Sequence, residues 1–261
     1  MKKLTVISCR VLWRELCYYG AMSPHRLDFK FLEQGLHDTP DQLRQCVQES
    51  IDAVDCDADA ILLGYGLCSN GLVGIQARNF PLVVPRGHDC ITFFLGSRER
   101  YQTYFDQHPG TYWYTPGWID CSHTPMPGKE RYDRLLQDYR EKYGAENADY
   151  LMEVEQAWIR DYSNAAYVDL GFFDSTHYKR YTQQCAQELN WDYDQLEGDP
   201  SLIQRWVNGE WGSDDFLVVQ PGEEIAAAHD ETILRTLRIT PTAEAGTGKL
   251  HRVQPVVNKS S

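Results

Sequence analysis

Three cysteines follow three strand-like runs in this sequence. Cys9 comes directly after Leu4-Thr5-Val6-Ile7-Ser8. Cys68 lies in Gly64-Tyr65-Gly66-Leu67-Cys68-Ser69-Asn70-Gly71, just beyond Ile61-Leu62-Leu63. Cys90 closes Pro85-Arg86-Gly87-His88-Asp89-Cys90, just beyond Pro81-Leu82-Val83-Val84. The apolar runs have strand length and are punctuated by Gly and Pro, which reads as buried parallel strands. Loops after the C-terminal ends of parallel strands share one sheet edge, where ligands bind. The spacing therefore predicts that the three thiols converge. Thiolates bind soft and borderline metals, and three protein ligands leave a coordination position open for a substrate. The expected centre on Cys9, Cys68 and Cys90 is a zinc ion or an iron–sulfur cluster with one open iron. The competing reading makes each cysteine a small residue that fits a tight turn.

The flanking residues suggest roles around such a centre. His88 is a fourth ligand, a donor behind the ligands, or an acid–base group. Asp89 orients His88 or caps a helix beginning near Ile91. Arg86 holds an anionic substrate group, steadies thiolates by its charge, or forms a surface salt bridge. His88, Asp89 and Arg86 are the candidate catalytic residues; Tyr65, Gly66, Asn70 and Trp113 are the candidate cofactor-lining ones. Gly64, Gly66 and Gly71 depart by two residues from a dinucleotide-binding loop, and their better use is to turn the backbone tightly around Cys68. Trp113 belongs to the aromatic group Tyr112, Trp113, Tyr114 and Trp118, which packs in a core or walls the site. Asp120, Cys121 and His123 are ligand types close in sequence and stand as further candidates.

Positioning these groups falls to an alternation of strands and helices. The expected fold is α/β: a doubly wound, mainly parallel, Rossmann-like sheet with helices on both faces. Residues 1–128 form its core, residues 129–239 a helical elaboration with a last strand, Phe216-Leu217-Val218-Val219, completing the same domain, and residues 240–261 a weakly structured tail. Thr39 and Pro40 open a helix whose apolar face carries Leu43, Cys46, Val47, Ile51 and Val54. Ser97 caps another. A pair of helices breaks at Gly144. Cys17, Cys46 and Cys185 fall in helical patterns as packing residues, and Cys56 and Cys121 in loop-like sequence. Eight cysteines in 261 residues are too sparse for a disulfide scaffold. A net charge of -13, with no Lys/Arg cluster, argues against nucleic acid as a partner. No apolar run approaches ~20 residues, so no membrane-spanning helix is expected. Ser8, Cys9, Arg10, Arg14 and Glu15 break up any signal-peptide core, and the expected location is the cytoplasm.

The two cysteine motifs, together with Ser8-Cys9, Leu95-Gly96-Ser97-Arg98-Glu99-Arg100-Tyr101 and Gly110-Thr111-Tyr112-Trp113, resemble a bacterial and archaeal family, domain-of-unknown-function family 1638. The likeness runs to about Gly222. The resemblance implies a setting near corrinoid-dependent methyltransferase systems of anaerobes, hence methyl-group metabolism, with a corrinoid protein or methyltransferase as partner. Function is thus expected to be that of a metalloprotein acting on a small molecule. Zinc suits thiol activation for methyl transfer, and a cluster suits sulfur removal or dehydration. The alternatives are a non-catalytic accessory protein carrying a metal or cofactor, and a thiol redox sensor.

Overall fold

The structure, a computed structural model, describes residues 1–54, 57–121 and 129–239; Cys56, His123 and the expected tail lie outside them. Its first sheet has the order β2-β1-β3-β4-β8, built from β1 (Lys3–Cys9), β2 (Arg26–Leu32), β3 (Ala60–Gly64), β4 (Leu82–Pro85) and β8 (Phe216–Val219). The first four strands are parallel, and β8 runs antiparallel to β4. Every residue of β3 and β4 is buried. That follows from their unbroken Ile, Leu and Val runs, since a parallel strand covered on both faces cannot alternate with polar residues. The edge strand β2 does alternate: Leu27, Phe29 and Phe31 pack on the core while Arg26, Asp28 and Lys30 face solvent. Charged residues along an edge also deter pairing with another chain.

Helix α1 (Trp13–Ala21) links β1 to β2, and α2 (Pro40–Asp52) links β2 to β3. Thr39 stands at the N-cap of α2 and Pro40 in its first turn, and Leu43, Val47 and Ile51 are buried along one face, as the spacing predicts. After β4 come the single-turn α3 (Ile91–Leu95) and α4 (Arg98–Gln107). The Ser97 hydroxyl accepts from the Arg100 amide at 3.1 Å, the expected cap.

The chain then departs from a single sheet. β5 (Thr111–Tyr114), β6 (Asn164–Asp169) and β7 (Asp192–Glu197) form a second sheet, parallel throughout, in the order β5-β6-β7. α5 (Pro116–Cys121), α6 (Lys129–Tyr143) and α7 (Ala145–Gln156) lie between β5 and β6, and α8 (Thr176–Leu189) between β6 and β7. A boundary at residue 128 therefore cuts through this second sheet. Strand-like runs show where strands are but not which neighbours they pair with, and the pairing is what splits the seven parallel strands four and three. β7 is invisible as an apolar run because its sequence, Asp192-Tyr193-Asp194-Gln195-Leu196-Glu197, is that of a polar edge. The last strand is not last either: β9 (Glu223–Ala227) and β10 (Leu234–Arg238) form an antiparallel hairpin after β8.

Helix α9 (Ser201–Val207) returns the chain to the first sheet, where the buried Trp206 indole donates to the Val83 carbonyl at 3.3 Å. The two sheets meet at their C-terminal ends. The short 3-10 turn Arg10–Leu12 after β1 lies so close to α5 that a Cβ at Gly117 would stand 1.7 Å from the Val11 carbonyl oxygen. The Asp199 amide, beyond β7, donates to the Phe94 carbonyl at 2.9 Å. Among the described residues no helix is long and apolar enough to cross a membrane.

Candidate functional site

Close backbone approach brings the three strand-end loops together. A Cβ at Gly64 would stand 2.2 Å from Ser8 Oγ, so only glycine lets the end of β3 lie against the end of β1. A Cβ at Gly66 would stand 2.7 Å from both Cα and N of Asp89, so only glycine lets the β3 loop cross the β4 loop. Two hydrogen bonds then zip these loops together: the Leu67 amide donates to the Gly87 carbonyl at 2.8 Å and the Cys68 amide to the His88 carbonyl at 3.0 Å. Cys68, Ser69 and Asn70 follow in the left-handed region, at φ of 45°, 53° and 67°. Each non-glycine residue there costs roughly 1–2 kcal/mol, least for Asn. Helix α2 helps hold the turn, for Arg44 donates to the carbonyls of Val73 and Asn70. The expected tight turn around Cys68 is thus present and strained, with Asn70 on its exposed side.

The thiols occupy one neighbourhood. Cys9 is 9% exposed, and burial pushes its thiol up to about 11, opposed by a Val11 backbone hydrogen bond and reinforced by Cys121 and Glu33. Burial, with Asp89 and Cys9 next, pushes Cys68 up to about 12. Cys90 is raised for the same reasons, burial first, then Asp89, Cys9 and Cys68. All three are neutral thiols near pH 7. Tyr65 sits in the same place: it is 3% exposed, and its hydroxyl is held far above the ordinary range by burial and then by Cys9, Cys68, Cys46 and Cys90. The three cysteines share one end of the sheet and influence one another electrostatically; a ligand cage is not found. Among the described residues no three His, Cys, Asp or Glu side chains are arranged to hold a metal ion.

Asp89 has one of its expected relations, the helix start, and one that was not expected. Its Oδ1 accepts from the Ile91 amide at 2.9 Å, starting α3, and its Oδ2 accepts from the Tyr101 hydroxyl at 2.9 Å. Burial raises its carboxyl, opposed by those donors and by His88. His88 is exposed beside it. Trp113 reaches this group through one ring, stacking on Tyr101 with centroids 5.9 Å apart at 25°. The same indole packs on the first core, the packing reading of the aromatic group. Arg86 requires a correction. It donates to the backbone carbonyls of Ser213 (2.9 Å), Thr232 (2.8 Å) and Leu234, tying β10 and the approach to β8 onto the β4 loop. Its job is a tether, in place of the expected hold on an anionic substrate, because the β9–β10 hairpin lies over it.

Comparison with known proteins places the chain in a family. The sequence profile of the family described as "Protein of unknown function (DUF1638)" matches residues 31–207, about two thirds of the chain. The chain belongs to the DUF1638 family. No curated protein and no solved structure matches it. The matched DUF1638 segment contains Cys68, Cys90, Asp89, Tyr101 and Trp113, whereas Cys9 precedes it.

Three features of this DUF1638 chain escaped the sequence reading. Cys46, placed among packing residues, acts on the Tyr65 hydroxyl from α2; its helical spacing masked that. Tyr101 holds Asp89, and the only signal was its place in the Arg98-Glu99-Arg100-Tyr101 stretch. Where the two sheets meet, Arg14 donates to Asp120 at 2.7 Å and to the Tyr178 hydroxyl at 2.8 Å, while Tyr178 donates to Asp120 at 2.8 Å. Asp120 is thus engaged in a network that bridges the two sheets. Cys121 acts on Cys9, its sulfur lying 3.5 Å from the Arg10 carbonyl.

Proposed function

We propose that this protein is a metalloprotein whose cysteine edge takes up a thiophilic metal, zinc or the iron of a cluster, and offers it to a small molecule. The observation that carries this reading is the gathering of buried Cys9 with half-buried Cys68, Cys90 and Asp89 at one end of the sheet. Four groups able to become anions, crowded in low dielectric, are stabilised by a cation more than by anything else within the fold. Binding would displace thiol protons and draw the sulfurs together. Such a metal supplies Lewis acidity and an open position for substrate.

The chain's own residues would do the rest. Tyr101 fixes Asp89, Asp89 starts α3 and so sets the position of Cys90, and Gly66 sets Cys68 against the same loop. The redox-sensor alternative has less support, because sensor thiols have lowered pKa values, and these are raised. A methyl-transfer setting with a corrinoid partner belongs to this reading as its pathway, carried by the family resemblance.

The test is metal content and visible spectrum of protein purified without oxygen. Stoichiometric zinc, or iron with sulfide, is the expected result. Cys68→Ala should abolish retention and Cys185→Ala, whose parent thiol lies in the second core, should keep it. Equal retention in both variants overturns the site assignment.

A further inference from the structure

A carboxyl oxygen with no partner lies where the two sheets meet. Glu15 on α1 is 1% exposed, and its Oε2 has no hydrogen-bond partner among the described residues. Such groups are rare in folded proteins, and each costs the desolvation of an unmet hydrogen bond. Beside Glu15, one guanidinium faces two acids, for Arg14 acts on both Glu15 and Asp120. Arg14 gives its Nε–H to Asp120 of α5 at 2.7 Å and an Nη2–H to the Tyr178 hydroxyl of α8 at 2.8 Å. Tyr178 closes the triangle by donating to the other Asp120 oxygen at 2.8 Å. Trp118 of α5 packs on both cores, and Gly117 lies against the Val11 carbonyl. The remaining titratable groups facing Glu15 are Cys17 and Tyr19 on its own helix and Tyr167 on β6, with Tyr178 next to Tyr167. Of all these groups only Arg14 carries positive charge.

We infer that Glu15 is a proton-operated latch: as the neutral acid it lets α1 close on α5, β6 and α8, and loss of its proton parts that seam while the two sheets stay folded. The inference is independent of what the cysteine edge binds. While Glu15 keeps its proton, Arg14 is left to Asp120 and Tyr178, and the triangle holds. An ionised Glu15 is a second carboxylate competing for the same guanidinium, in low dielectric and beside a like charge. Parting the seam brings water to it and relieves both costs. Burial raises this carboxyl from 4.5 to about 8, opposed by its own backbone amide and Arg14 and reinforced by Asp120. The closed seam thus binds the proton more tightly than the open one. Opening is therefore favoured as pH rises from 4.5 to about 8 and levels off above.

The experiment is amide hydrogen exchange of the full chain at pH 6 and pH 8, read by mass spectrometry and corrected for the intrinsic pH dependence of exchange. Peptides from α1 and α8 report on the seam, and peptides from β3 and β4 on global unfolding. The seam peptides should exchange faster than the strand peptides at both pH values. Their corrected rates should rise roughly fiftyfold between the two, the linkage expected of one carboxyl that is half ionised at the upper pH. In Glu15→Gln, whose amide has no proton to release in this range, the rise should vanish. A rise of equal size in parent and variant overturns the inference, because another group would then be responsible. Seam and strand peptides exchanging at one common rate also overturn it, since the charge would then act on global unfolding and not on a seam. If Glu15→Gln fails to fold, the parent's profile decides: a flat corrected rate for α1 and α8 overturns the latch, and a rise that levels off above about pH 8 supports it.

Discussion

Glu15 offers a quantitative test of the packing between the two sheets. It lies in the first turn of α1, is 1% exposed, and its Oε2 has no hydrogen-bond partner among the described residues. Burial raises its carboxyl from 4.5 to about 8, opposed by its own backbone amide and by Arg14 and reinforced by Asp120. The folded state therefore holds this proton more tightly than the unfolded chain, so the stabilisation is complete below pH ~4.5 and is lost as pH climbs through about 8. Over that whole window the loss is about 5 kcal/mol, taking 1.4 kcal/mol for each pH unit between the two values. Glu15→Gln puts a neutral amide of the same shape in the same place and removes the linkage. Urea unfolding of parent and variant at pH 6 and pH 8 isolates it, because every other titrating group is common to both. The parent should lose roughly 2 kcal/mol relative to the variant between those two pH values, since the folded carboxyl is itself half ionised at pH 8. Parallel stability curves would refute the claim that an uncharged carboxyl is built into this junction.

Metal uptake at the cysteine edge should strengthen steeply with pH. Neutral thiols at Cys9, Cys68 and Cys90 must release protons on binding, so three participating thiols imply about a thousandfold gain in affinity per pH unit near neutrality; a chelator-competition titration with a flat pH profile would exclude thiolate ligation. Arg86→Ala removes three donations to backbone carbonyls and should cost about 3 kcal/mol of stability, at roughly 1 kcal/mol each. Metal retention should survive that change, and its loss with the fold intact would return Arg86 to the site.

How much of this was legible from residues alone varies element by element. The runs at Ile61-Leu62-Leu63 and Leu82-Val83-Val84 read as buried parallel strands because apolar continuity has no other economical use at that length. The cap at Ser97 read correctly because helix termini need local partners, while Thr39 holds the N-cap position of α2 without a side-chain bond. Asp89 as the starter of α3 was legible for the same reason. Arg86 was misread, since its partners come from residues 213–234, more than 120 positions away. Nothing in Pro85-Arg86-Gly87 announces them.

By itself, then, the sequence determined the parallel α/β class, the delivery of Cys9, Cys68 and Cys90 to one sheet edge, and membership of the DUF1638 family. These depend on periodicity and punctuation, which act over a few residues. Tertiary structure alone decided that β5, β6 and β7 stand apart as a second sheet, that Cys46 and Cys121 join the thiol neighbourhood, and that Tyr65 Oη and Glu15 Oε2 are buried without a hydrogen-bond partner among the described residues. Those outcomes depend on which surfaces meet when distant segments pack, and the desolvation that raises Cys9, Cys68, Cys90 and Asp89 exists only once they have met.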